Sequence, residues 1–301
     1  MSLTQRWAAL PGNLRGAAWI VLASVAFTAM AACIKVIGQT MSVWEMMVLR
    51  AGLATLILSP AILRTGVRAS FATQRPGTHF FRALLGMGGL TGFFFALTHL
   101  DLALVTTLGF TRALFVLLLA MLFLSEVVGW RRGTATAVGF VGVIVCVQPG
   151  SDTFSIWTLV ALGSALCSAG VTATIKRLTS TERPLTIVIW SYLVMGALAA
   201  IPAILTWQTP TLTEFGLIAV MALLSTAGQT CMVHGLRAGD ASAVTPFEYT
   251  RLFFAAIVGY VLFAEVPGLH TWAGGGIIIA STVYIAWRES QLRHKRSQPS
   301  S

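Results

Sequence analysis

Charge is scarce in this sequence. Of its 301 residues only 10% are Asp, Glu, Lys or Arg, against about 25% in a typical soluble domain. A soluble fold of this length would lack the charge to cover its surface. The hydrophobic fraction is 56% and the mean hydropathy is +0.81, which places most of the chain in a lipid bilayer. These deficits exclude a soluble enzyme, a disordered chain and a DNA-binding domain. Cysteine is also sparse. Cys33, Cys146, Cys167 and Cys231 all lie inside apolar runs, with no C-x-x-C pair and no Cys/His cluster. That pattern argues against a disulfide framework and against a metal site. No G-x-x-x-x-G-K-[ST], H-E-x-x-H or G-x-S-x-G motif is present, so neither a nucleotide-binding loop nor a familiar catalytic centre is visible. The chain reads as a non-enzyme without cofactor or metal.

What is present is long apolar stretches. A spanning helix needs about 20 apolar residues, and ten such runs can be counted, at about 16–36, 44–63, 80–97, 103–124, 133–147, 154–175, 185–207, 214–235, 241–263 and 272–287. A membrane β-barrel is excluded, because its strands alternate and are only about ten residues long. The first run carries Ala29-Met30-Ala31-Ala32-Cys33, which imitates a signal-peptide cleavage site. It is nevertheless long enough to span, and it has a counterpart later in the chain.

That counterpart belongs to an internal repeat. Ile34-Lys35 recurs as Ile175-Lys176, and Pro60-Ala61-Ile62-Leu63 as Pro202-Ala203-Ile204-Leu205. Asp101 matches Asp240, Thr111-Arg112 matches Thr250-Arg251, and Glu126-Val127 matches Glu265-Val266. The spacing between copies is nearly constant. The chain divides into a first five-helix repeat, 1–150, and a second, 151–301, within one transmembrane domain. Because five is odd, the second copy enters the membrane from the opposite side. The predicted fold is an all-α integral membrane protein of ten transmembrane helices, built as two inverted five-helix repeats around a central cavity.

The net charge of +10 sits mainly in the connections. If the amino terminus is inside, sixteen of the twenty basic residues fall on inner segments, among them Arg64, Arg68, Arg75, Arg82, Arg131 and Arg132. Lys35 alone falls outside. The positive-inside bias predicts that both termini are cytoplasmic. Basic connections of this kind meet lipid headgroups, and no aromatic-interleaved basic patch points to nucleic acid.

Three arginines, Arg50, Arg112 and Arg251, lie within helices. A charge at the bilayer centre costs about 2.5–3.5 kcal/mol or more and usually faces an interior cavity. Arg112 and Arg251 are repeat mates. Each can anchor an anionic group such as a carboxylate, or pair within the protein. Glu248, three residues before Arg251, is placed for a local ion pair, whereas the matching position before Arg112 is Gly109. Trp44, Trp190, Gln229 and Tyr249 complete the candidate substrate-binding set. Trp and Tyr near helix ends are otherwise interface anchors, as Trp130, Trp207 and Trp272 are read here. Gly86, Gly88, Gly89, Gly139, Gly142 and Gly274 are read as close helix contacts. Pro246 is expected to loosen the start of helix nine. Pro60 and Pro202 read as hinges or as simple helix ends.

With these features in view, the chain resembles the drug/metabolite transporter superfamily, EamA type. The ten spans, the duplication, and Thr111-Arg112 and Glu126 with their mates Thr250-Arg251 and Glu265 carry the likeness. By overall likeness it is also similar to the YddG-type branch of aromatic amino-acid exporters. The resemblance implies a basket of helices with a cavity lined by helices one, three, four, six, eight and nine. It implies export of amino acids, broad in range and including aromatic ones, across a bacterial inner membrane by alternating access. The small-molecule substrate and the lipid bilayer are then the partners, and monomer and homo-oligomer both stay open. An exporter of cationic drugs or other small metabolites is the alternative. It would want intramembrane acids, and the first run, 16–34, holds none.

Overall fold

The computed structural model describes residues 11–124, 130–151, 154–178, 181–239 and 241–297. Glu126, Val127 and Asp240, invoked above as repeat marks, lie outside them. Among the described residues the elements are all helical, and ten helices are long and apolar enough to cross a bilayer. We label them α1 (Gly12–Ile37), α2 (Val43–Thr65), α3 (Pro76–His99), α4 (Leu102–Phe110 followed by Arg112–Leu124) and α5 (Trp130–Val147). The second half continues with α6 (Ile156–Leu178), α7 (Pro184–Thr206), α8 (Leu212–Ala238), α9 (Thr250–Phe263) and α10 (Leu269–Ser297).

Their outer faces carry exposed Leu, Ile and Val, such as Ile204, Leu205, Leu223, Val261 and Leu269. That belt suits lipid tails, and the helical backbone bonds leave no polar group to be satisfied there. Helix starts and stops follow local chemistry. Ser42 accepts the Trp44 N–H at the start of α2. Thr211 and Glu214 form a reciprocal capping box at the start of α8. Pro76 and Pro184 open α3 and α7, where the missing N–H costs nothing. Pro60 and Pro202 lie inside α2 and α7, so they do not mark helix ends.

The packing displays the inverted repeat. α1 packs on α8 and its counterpart α6 packs on α3, while α2 packs on α7, α4 on α9 and α5 on α10. Where a helix packs on its own mate, the pseudo-twofold axis passes between them. Phe110 and Tyr249, mates at the α4/α9 contact, meet edge to face at 4.9 Å. Arg50 and Tyr192, mates by the spacing that relates Pro60 to Pro202, meet at the α2/α7 contact with the guanidinium 5.8 Å from the ring.

Glycines let the scaffold pairs close up. A Cβ on Gly274 would lie 2.5 Å from the Gly142 carbonyl oxygen, so α5 and α10 touch backbone to backbone there. A Cβ on Gly89 would come within 3.0 Å of the Ser168 hydroxyl, and Ser164 Oγ donates to the Gly89 carbonyl at 2.5 Å, which fastens α3 to α6.

α4 and α9 depart from regular helix at repeat-related places. α4 breaks at Thr111, immediately before Arg112. In the second half, a four-residue helix (Ala241–Val244) and a 3-10 turn (Thr245–Tyr249) precede α9, whose second residue is Arg251. The continuous run read from the sequence at 241–263 is thus interrupted, and Pro246, which removes a backbone donor, sits in the turn.

Candidate functional site

A cavity of about 900 Å³ lies at the centre of the bundle. Its walls come from α2, α3, α4, α6, α7, α8, the 3-10 turn leading into α9, and the start of α9 itself. The resemblance implied a lining contribution from α1, but among the described residues α1 provides none and α2 and α7 take part instead. The reason is packing: α1 is held along α8, behind the wall.

Five of the seven candidate residues line this cavity: Arg112, Gln229, Glu248, Tyr249 and Arg251. Arg112 and Arg251 each sit ten residues inside the helical segments that begin at Leu102 and Ala241. At 1.5 Å per residue that is about 15 Å from opposite faces, close to the bilayer midplane. Tyr249 donates its hydroxyl to Thr282 of α10 at 2.5 Å, so its ring is fixed and the ring itself serves the cavity.

Trp44 and Trp190 are elsewhere. Trp44 packs edge-on against Phe95 at the start of α2. Trp190 donates its indole N–H to the Phe71 carbonyl at 3.2 Å and stacks on His79. It tethers the short helix Val67–Phe71 rather than lining the site. Both tryptophans lie in the first two turns of their helices, where anchoring is the usual role.

The cavity also holds residues that sequence reasoning placed elsewhere. Arg82, counted above with the inner flanking charges, lies in the second turn of α3 and lines the cavity. Its guanidinium donates to the Ile187 carbonyl at 3.3 Å. Arg50, Tyr192, Phe93, Ser164, Ser168 and Ser191 complete much of the polar and aromatic lining. Arg50 was visible as an intramembrane charge and Tyr192 as an aromatic beside Trp190 in the seventh run, and the structure brings the two together.

The electrostatics are lopsided. Among the described residues four arginines, Arg50, Arg82, Arg112 and Arg251, line the cavity against one carboxylate, Glu248. The local Arg251–Glu248 ion pair expected from the sequence does not form, since the only ion pair among the described residues joins Lys35 to Glu265. Arg251 instead lies over the Phe27 ring at 5.9 Å, and its buried Nε has no hydrogen-bond partner among the described residues. Glu45 is buried too, with Oε1 accepting the Gln208 N–H at 3.0 Å, so it is no partner for Arg50. A guanidinium stays charged in any protein environment, and among the described residues none of these four is held in an ion pair.

Access is one-sided. The lining is buried at Val105, Thr106, Phe110 and Ala161, and exposed at Arg112, Ala113, Thr172, Val188 and Gln229. The exposed residues lie towards the end of the bundle that carries the basic connections. The opposite end is shut by the Lys35–Glu265 ion pair. There Lys35 also donates to the Leu100 carbonyl at 2.6 Å, and Glu265 accepts the Leu102 N–H at 2.8 Å. One knot thereby ties α1, the α3–α4 connection and the segment after α9. Lys35, which the sequence read as a lone flanking charge, is 9% exposed and half of this closure. Burial, and then the Glu265 charge, push the neighbouring Asp101 carboxyl above the usual carboxylate range. Among the described residues no cluster of His, Cys, Asp and Glu could hold a metal.

Ten spanning helices in two inverted repeats, enclosing a midplane cavity reached from one side, define a membrane transporter. The chain belongs to the EamA-like transporter family, whose model matches residues 14–148 and 155–287. It is similar to the S-adenosylmethionine uptake transporter of Rickettsia felis, 29% identical over 96% of this chain and 98% of that one. It is similar to the riboflavin transporter of Vibrio cholerae, 28% identical over 94% and 97% of the two chains. The pseudopaline exporter of Pseudomonas aeruginosa is 29% identical over 88% and 94%. A solved crystal structure shares the fold, with a TM-score of 0.58 at 17% identity over 95% of this chain and 99% of its own. These relatives are not aromatic amino-acid exporters of the YddG type, so the narrower likeness suggested by the sequence gives way to the family as a whole.

Proposed function

We propose that this protein is a secondary carrier for small carboxylate-bearing metabolites, amino acids among them, moving them outward across a bacterial inner membrane by alternating access. One observation carries the reading: Arg50, Arg112 and Arg251 line the cavity without a protein carboxylate in ion-pair reach among the described residues. A substrate carboxylate supplies the missing countercharge and meets a guanidinium bidentately. Glu248 is left to receive a substrate ammonium. Phe93, Phe110 and Tyr249 supply apolar walls, and such contacts discriminate weakly between side chains, which favours a broad range. A cationic drug would face four guanidiniums and one acid, so that alternative is disfavoured.

On this reading the basic end of the bundle, with both termini, faces the cytoplasm, and the conformation described is open inward. The carrier loads from the cytoplasm, then opens the far end by parting Lys35 from Glu265 as the two repeats rock. No nucleotide is required. The test is uptake of labelled amino acids by liposomes holding only the purified protein, without ATP, with and without a pH gradient. Movement of substrate down its own gradient is expected. Failure of every carboxylate compound to move, or movement only with ATP and a second protein, would overturn the proposal.

A further inference from the structure

The cavity arginines fall into two groups, one at each mate contact. At the α4/α9 contact, Arg112, Glu248 and Arg251 line the cavity with the mated rings of Phe110 and Tyr249. At the α2/α7 contact, Arg50 lies over the Tyr192 ring, and Arg82 reaches the same helix by donating to the Ile187 carbonyl. The axis passes through both mate contacts, so the two groups mark two walls of one cavity.

The groups differ in what they offer. The first combines two guanidiniums with a carboxylate, which suits the carboxylate and ammonium of an α-amino acid. The second has two guanidiniums, the Tyr192 hydroxyl and the Ser191 hydroxyl, and among the described residues no cavity carboxylate besides Glu248. Among the described residues its protein acceptors are carbonyl and ring: Arg82 on the Ile187 carbonyl and Arg50 on the Tyr192 face. Ser191 donates to the same Ile187 carbonyl at 2.6 Å, so it gives an anion no donor and the donors left are the two guanidiniums and the Tyr192 hydroxyl. A neutral side chain placed here would leave two arginines uncompensated in the membrane, and that is costly.

We propose that α2, α3 and α7 form a second anion subsite, built on Arg50, Arg82 and Tyr192, so that the preferred substrate carries two separated anionic groups. The chemical class is an α-amino acid with an acidic distal group, its amino-acid end at Arg112, Arg251 and Glu248 and its distal acid at Arg50 and Arg82. This rests on the carrier reading above and narrows it. An ω-amide or a simple apolar amino acid fills the first group only.

The test is a ladder of diacids against their ω-amides, because chain length sets whether both groups are reached. Binding of L-glutamate, L-α-aminoadipate and L-α-aminopimelate to the purified full chain at pH 7 is compared with that of L-glutamine and the longer ω-amides, by ligand-induced thermal stabilisation. At least one diacid should bind about ten-fold or more tightly than its own amide, the size of one charge-assisted contact. Arg50→Gln should bring that diacid-to-amide ratio towards one, whereas Arg112→Gln should weaken acid and amide together. Should Arg50→Gln not fold, Arg82→Lys is read in the same way, since Lys cannot reproduce the fork. Amides that bind as well as every diacid overturn the second subsite and leave the carrier reading standing. A diacid preference that survives both variants also overturns it. If neither acids nor amides bind, both readings fall together.

Discussion

A guanidinium held in a membrane without a countercharge asks for one. Arg112 and Arg251 occupy mated positions, and the structure removes the asymmetry that local sequence suggested between them, because Glu248 does not pair with Arg251. Both arginines should therefore matter for carboxylate recognition. Arg112→Lys and Arg251→Lys should each lower apparent affinity for free amino acids by roughly 10- to 150-fold, the worth of one charge-assisted contact of about 1.5–3 kcal/mol. The diagnostic is the ratio of free-acid to α-carboxamide transport at equal protein density. That ratio should fall in both variants, and an unchanged ratio in either would mark its arginine as structural. Intramembrane charge made Arg112, Arg251 and Arg50 legible in the sequence. Arg82 was not legible, because an arginine in the second turn of a helix is equally suited to snorkelling towards headgroups. Only the packing of α3 against α7 turns it to the cavity.

The elements that carry these residues are irregular where function needs it. The break before Arg112 and the 3-10 turn before Arg251 interrupt two helices at mated points, and unwound backbone at midplane depth is tolerated where it lines a cavity. The scaffold pair α5/α10 is the opposite case. Gly274→Val would drive a side chain into the Gly142 carbonyl, and overpacking of this kind costs about 1–3 kcal/mol. The thermal midpoint of the purified protein should drop, and an unaltered midpoint would mean that the two helices separate freely. At the far end, Glu265→Gln removes one partner of the closure. In a cysteine-free background carrying Thr106→Cys, a membrane-impermeant thiol reagent applied on the far side should label the Glu265→Gln form faster than its parent. Equal rates would show that the ion pair does not hold the closure.

The same closure has a pH dependence. Asp101, flanked by Glu265, Lys35 and His270, has a carboxyl raised by burial and then by Glu265. A raised carboxyl contributes stability that is complete below the ordinary aspartate value of about 3.9 and is lost as pH rises through the raised value. Far-side labelling of Thr106→Cys should thus increase as pH rises through that window. A flat profile, or a rate that falls with pH, would contradict the assignment.

For the whole molecule, the leading expectation is orientation. A reagent confined to the outside should reach a cysteine placed at Ser151 and miss one at Arg68 or Arg75, if the basic end is cytoplasmic. The reverse pattern would turn the carrier over and make the conformation described here outward-open.

The sequence by itself determined the bilayer, the ten spans, the duplication and its inversion, because those depend on length, apolarity and count. It also placed charge at mid-helix in Arg50, Arg112 and Arg251. Tertiary structure alone decided which faces look inward: that α1 stands behind the wall, that Trp44 and Trp190 anchor helix ends, that Arg82 and Tyr192 join the cavity, and that Lys35 closes it through Glu265. The physical reason is the solvent. Lipid is as apolar as a packed protein interior, so a spanning helix shows little periodic contrast between its two sides, and its rotation is settled only by the helices packed against it.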